Sequence, residues 1–190
     1  MHRSLSRKGA DARAGVTLTE IFGNWWTFGA LFGASAGMFG YVLPRAKAPV
    51  FTDASPEIPR KVLDEYFWTW TPDIARRFFV GIGPQGRRAY RRFYWTIDFW
   101  FPSLIASLAN LSLLLLAFPR ASGLAWLGVL AFAGWLFDLL ENVNHYTMAG
   151  TYPYLTPVSL RIGPWFTLTK WVFALAPLAV ALVGFALRLR

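Results

Sequence analysis

Residues 124–146 read LAWLGVLAFAGWLFDLLENVNHY, and this stretch decides the fold. Its first part, Leu124 to Phe137, carries no charge. Its second part places Asp138, Glu141, Asn142 and His145 at i, i+3, i+4 and i+7, which is one face of a helix. The opposite face keeps Leu136, Leu140 and Val143. The apolar run is continuous and does not alternate, so it reads as helix and not as a barrel strand. A helix crossing the hydrocarbon core needs ~20 mostly apolar residues, and this stretch meets that length.

Three further runs meet it as well, at about 21–43, 95–118 and 163–187. The whole chain has 190 residues, of which 55% are apolar and only 15% charged. A soluble domain is nearer about a quarter charged. The apolar content excludes intrinsic disorder, and the lack of Cys excludes a disulfide scaffold and thiolate metal sites. The expected fold is therefore all-α, a polytopic membrane protein built as a four-helix transmembrane bundle. A basic amino-terminal tail, 1–20, precedes a single membrane domain, 21–190, with a long interfacial loop at 44–94 between the first two spans. The first run exceeds the ~7–15 apolar residues of a signal-peptide core, so a retained helix is expected.

The loop has signals of its own. Thr71-Pro72-Asp73 reads as N-cap, first helical position and acidic first turn. That short helix should stop near Gly81, and Gly83-Pro84 should restart a helix that runs into the second span. Arg76, Arg77, Arg87, Arg88, Arg91 and Arg92 alternate with Phe78, Phe79, Tyr90, Phe93 and Tyr94. That mixture predicts a headgroup-level surface. Pro119 to Gly123 should form a tight turn that makes spans two and three a hairpin. Trp25, Trp26, Tyr41, Trp95, Trp126, Tyr146, Tyr152, Tyr154 and Trp165 fall near span boundaries, as an aromatic belt requires. Lys and Arg total 19 against 10 Asp and Glu. Because the basic residues flank apolar runs, the expected partners are the bilayer and its anionic lipid headgroups, not nucleic acid. Gly29, Gly33 and Gly37 form a small-xxx-small stripe in span one. It is expected to pack inside the bundle, with a homodimer through span one as the alternative.

Ionisable groups inside a span carry the functional reading, since each costs ~2.5–3.5 kcal/mol at the helix centre. Span two has Asp98. Span three has Asp138, Glu141, Asn142 and His145. Span four has Lys170, with Thr167 one turn before it. At about 1.5 Å of rise per residue, these groups share one layer below the side that holds the long loop. They are expected to converge on a polar cavity. The acids outnumber Lys170, so carboxyls must be protonated, His145 charged, an Arg folded in, or a cation bound.

The leading expectation is a cavity that binds a lipid-like ligand or acts on it by acid–base chemistry. Asp138, Glu141, His145 and Asp98 are the candidate catalytic residues, and Asn142, Lys170 and Thr167 the candidate ligand-binding residues. Metal and cofactor are left open, although Glu141, His145, Asp138 and Asp98 have ligand chemistry. The alternatives are a proton- or cation-coupled permease or channel, and a non-catalytic scaffold or assembly subunit. In the last case the polar groups only clamp helices together. Walker, dinucleotide, nucleophile-elbow and zincin motifs do not occur.

A family pattern carries through the same residues. Gly83-Pro84-Gln85-Gly86-Arg87-Arg88-Ala89-Tyr90 comes first, then Asp98 followed by Pro102. Asp138-Leu139-Leu140-Glu141-Asn142 follows, and then Thr167-Leu168-Thr169-Lys170. In this order, over roughly residues 60–175, the chain resembles an uncharacterised group of small bacterial four-span membrane proteins. The resemblance implies a four-helix topology and a bacterial inner (cytoplasmic) membrane, and it implies no activity. A looser likeness to sterol-isomerase-like membrane proteins lies only in carboxylates held within a helical bundle, without their motif.

Overall fold

Capping and breaking residues set where each helix begins. The structure is a computed structural model that describes residues 17–66, 70–119 and 124–189. Helix α1 (Leu18–Phe22) opens on a capping box between Thr17 and Glu20. Asn24 then caps α2 (Trp25–Gly37) by accepting from the Thr27 amide. α2 continues through a π-helical turn at Met38–Val42 into α3 (Leu43–Lys47) and a 3-10 turn at Ala48–Phe51. The first long helix is thus Trp25–Phe51. It reaches past the expected end at 43 because Pro44 and Pro49 each stand in the first turn of a new segment, where no amide is required.

The loop folds as anticipated at its caps. Thr71 accepts from the Ile74 amide and starts α4 (Pro72–Gly81). Gly83 has φ +67°, a left-handed backbone that glycine tolerates, and it opens α5 (Gly83–Phe93). A π-helical turn at Tyr94–Asp98 follows, and Pro102 begins α6 (Pro102–Ala117). Next come α7 (Leu124–Thr151) and α8 (Pro157–Arg188), the latter capped by Thr156.

Four helices are long and apolar enough to cross a membrane: Trp25–Phe51, Gly83–Ala117, Trp126–Thr151 and Pro157–Arg188. All four extend beyond the apolar runs at the end nearest the loop. Hydropathy marks the apolar stretch, whereas the helix itself runs to its caps. No strand occurs among the described residues.

α7 lies along α8, both pack on α6, and α2 packs on α6. Gly134 sets the spacing of α7 and α8, since a Cβ there would stand 3.1 Å from the Ala174 amide nitrogen. The segment between α3 and α5 covers one end of the bundle. Val50, Leu63, Phe79, Tyr90, Tyr94 and Met148 are buried together there.

This cover corrects two expectations. Phe78, Phe79, Tyr90, Phe93 and Tyr94 are buried in its core and are not part of an exposed Arg–aromatic surface. α4 and α5 are amphipathic, so their aromatic face turns inward while Arg76, Arg77, Arg88 and Arg92 stay exposed. Arg87 and Arg91 instead cover the rings of Tyr152 and Tyr146. The glycine stripe does not pack inside the bundle either. Cβ atoms added at Gly29, Gly33 or Gly37 would meet nothing within 4 Å, because α2 turns its other face to α6. The basic residues of 1–16 and the turn at 120–123 lie outside the described residues.

Gly163 is the tightest contact between α8 and the cover. A Cβ there would press into the Trp70 ring and come 2.6 Å from Asn144 Nδ2. Gly163→Ala should destabilise the purified protein by ~1–3 kcal/mol. Gly33→Ala should stay within about 0.5 kcal/mol. Thermal unfolding in detergent reads both.

Candidate functional site

Lys170 stands on α8 with its side chain almost wholly buried, and the acids turn toward it. Asp138 Oδ1, on α7, lies 3.0 Å from Lys170 Nζ. Glu141 Oε2, one turn further along α7, makes a closer ion pair. Asp64 Oδ2, from the 3-10 turn Leu63–Glu65 in the cover, lies 3.6 Å away. An ammonium has three N–H donors, and here three carboxylates face it.

Each acid has a second set of partners. Ser103 Oγ, on α6, donates to Asp138 Oδ2 at 2.6 Å, and Asn142 Nδ2 donates to the same oxygen at 3.3 Å. Thr167 donates to Glu141 Oε1 and receives the Trp70 indole N–H at 3.1 Å. Tyr94 donates its phenol proton to Asp64 Oδ1 at 2.8 Å. The Trp171 indole donates to the Asp64 carbonyl at 3.3 Å. The cluster thus draws on α6, α7, α8, the cover and the π-helical turn. Buried carboxylates are tolerated only when paired and hydrogen-bonded in this way.

A cavity of about 220 Å³ lies beside the cluster. Asp64, Asp98, Asp138, Lys170 and Ser103 supply its polar lining. Phe39, Leu43, Ala106, Trp135 and Ala174 supply apolar wall. The Lys47–Glu65 ion pair also lines it and is its more exposed polar part. Asn110 lines it too, and its amide donates to the Ala174 carbonyl at 3.1 Å.

The expected site residues therefore divide. Asp98, Asp138 and Lys170 reach the cavity. Glu141, Asn142 and Thr167 stand behind it as partners of the cluster. His145 leaves the group altogether. It sits among Trp70, Tyr90 and Tyr94 with ring centroids 5.0–5.9 Å away, and among the described residues neither of its ring nitrogens has a hydrogen-bond partner. Position 145 shares the helical face of 138, 141 and 142, but at its depth the neighbours are the aromatic rings of the cover. Asp98 lines the cavity without an ion pair among the described residues. Among those residues no three Asp, Glu or His side chains are grouped to hold a metal ion. The acids converge on an ammonium instead.

Sequence reasoning missed Asp64, Trp70 and Ser103. Ser103 follows Asp98 and Pro102 in an apolar run, and that was a usable signal. Asp64 had none, because an acid in a long loop reads as solvated.

No family model, curated protein or solved structure matches the chain.

Removing the ammonium should expose the cluster's dependence on it. Lys170→Met leaves Asp64, Asp138 and Glu141 buried without a cation and should cost ~3–5 kcal/mol. Adding Asp138→Asn to that variant should recover part of the loss. Unfolding of the single and double variants in detergent checks this as a double-mutant cycle.

Proposed function

We propose that the chain is an integral membrane protein whose cavity holds a lipid-like ligand, with Asp138 as the acid–base group and Lys170 as its counter-charge. The observation that carries this reading is the cavity itself, lined by apolar side chains and by a buried carboxylate–ammonium cluster. Ligand sites combine mostly apolar lining with a few placed polar groups in this manner. Asp138 is preferred to Glu141 because it lines the cavity, while Glu141 is fully buried behind Lys170. Proton transfer requires a group within hydrogen-bond reach of the ligand, and Asp138 alone of the two has that access.

Membrane insertion rests on the four long apolar helices and on their outward faces. Trp26, Phe32, Val129, Leu182 and Val183 are all more than half exposed. A soluble protein seldom exposes apolar surface on this scale. Beyond Asn110 the bundle interior is filled by Leu114, Leu115, Leu127, Ala131 and Ala181. That apolar plug favours a dead-end site over a conducting path.

Two measurements test the proposal. The chain has no Cys, so introduced single cysteines report topology. Glu57→Cys and Tyr154→Cys should label from one side of intact vesicles, and Leu189→Cys from the other. Labelling of all three from both sides would contradict insertion. Native mass spectrometry of the detergent-purified chain should retain a lipid-like adduct, and Ala106→Phe, which fills the cavity, should remove it. A chain that never carries an adduct, or carries it equally with Ala106→Phe, would overturn the reading.

A further inference from the structure

We propose that the cavity takes an amphiphile with a protonated amine at its head, and that Asp98 is the residue that recognises the amine. The proposal rests on the reading of the cavity as a lipid-like ligand site and names the ligand's chemistry.

Among the acids that line the cavity, Asp98 differs from its neighbours. Asp138 has Lys170, Ser103 and Asn142. Asp64 has Lys170 and Tyr94. Among the described residues no hydrogen bond or ion pair reaches the Asp98 carboxylate, and its Oδ2 is fully enclosed without a partner. The residue is only 6% exposed. Native proteins rarely leave a buried polar atom unsatisfied, and an exception calls for an explanation. Lys170 cannot supply one, because its three donors already face Asp138, Glu141 and Asp64.

Charge selects the missing partner. Asp64, Asp98 and Asp138 line the cavity with Lys170, and Glu141 pairs with Lys170 behind it, so acids are in excess there. A carboxylate head would add to the excess, and a hydroxyl would leave it as it is. An ammonium offers both a positive charge and N–H donors to Asp98. Hydrogen bonds with an ionised partner are also the stronger kind.

The backbone gives a second, independent pointer. Asp98 closes the π-helical turn Tyr94–Asp98, and π-turns within α-helical runs recur at functional sites. Tyr94 opens the same turn and donates to Asp64. Both ends of the irregular turn therefore belong to this site.

Size and walls describe the rest of the ligand. About 220 Å³ is below the ~300–1,000 Å³ of pockets that enclose drug-sized molecules. The cavity accommodates a head and the start of a chain. Phe39 lines it and is also 43% exposed. Phe39 belongs to the first long helix, none of whose apolar window is buried, so an alkyl tail would leave the cavity on this side.

The test uses the full chain in detergent and three probes of equal length: dodecylamine, dodecanol and dodecanoate. Trp135 and Trp171 line the cavity, so tryptophan emission reports occupancy, and native mass spectrometry gives stoichiometry. On the unmodified chain, dodecylamine should saturate at one per chain and bind about tenfold or more tightly than dodecanol, the factor expected of a hydrogen bond to a charged group. Dodecanoate should bind least. Asp98→Asn should weaken the amine by about the same factor and leave the alcohol unchanged. Equal binding of amine and alcohol on the unmodified chain would overturn the proposal, and that comparison needs no variant to fold. An amine affinity untouched by Asp98→Asn would overturn it also, while leaving the cavity as a site for amphiphiles. If none of the probes saturates, or if Ala106→Phe binds them equally, both this proposal and the ligand-site reading fail.

Discussion

The buried ammonium of Lys170 is the constraint around which the rest of the molecule is arranged. It draws Asp138 and Glu141 from α7 and Asp64 from the cover onto one point. Each acid is then steadied by a neighbour on a different element: Ser103 on α6, Thr167 on α8, Tyr94 on the π-helical turn. Apolar packing between helices is adaptable, and a helix in lipid gains little from exchanging one apolar neighbour for another. A charge in a poor dielectric has no such freedom. The ion cluster thus fixes the rotation of α7 and α8 and ties the cover to the bundle, which hydrophobicity alone would leave loosely specified.

Much of the architecture was legible in the sequence because its signals were long or chemically sharp. Four apolar runs near the length of a membrane crossing have few other readings. Thr71-Pro72-Asp73 and Gly83-Pro84 marked helix boundaries, since a cap and a left-handed glycine have local causes. The convergence of Asp138, Glu141 and Lys170 followed from helical phase and depth. What failed was whatever depended on a third element. Helical phase put His145 with the acids, but the cover surrounds that level of the helix with Trp70, Tyr90 and Tyr94. The mixed Arg–aromatic segment looked like an interfacial surface because composition does not say which face is inward. Asp64 was invisible for the same reason: its value arises from a loop folding back about a hundred residues from its partner, and no local pattern encodes that return. The glycine stripe was misplaced because a small-residue face allows close approach but does not compel it.

The cover also changes how the site should be understood. A cavity built only from helices of a bundle would have walls of similar character all round. Here the charged lining comes from both parts, Asp64 and Glu65 from the cover and Lys47, Asp98, Asp138 and Lys170 from the helices. Charged and apolar lining in a single small cavity is what the proposed ligand, a molecule with one polar end, would require. The cover also explains why residues so close in sequence as Asp138 and Glu141 have different access: one faces the open volume, the other the sealed junction of α7, α8 and Trp70.

The first long helix is the loosest stave of the barrel. None of its apolar window is buried, yet Phe39 and Leu43 of that helix form part of the cavity wall. A 27-residue helix is longer than a bilayer core strictly needs, and helices with such surplus lean over, more so in thinner bilayers. Its inclination would then be set by the host lipid as much as by the protein. If that helix crosses a bilayer, the chamber it lines would widen or narrow with acyl-chain length, and its volume would follow the thickness of the membrane.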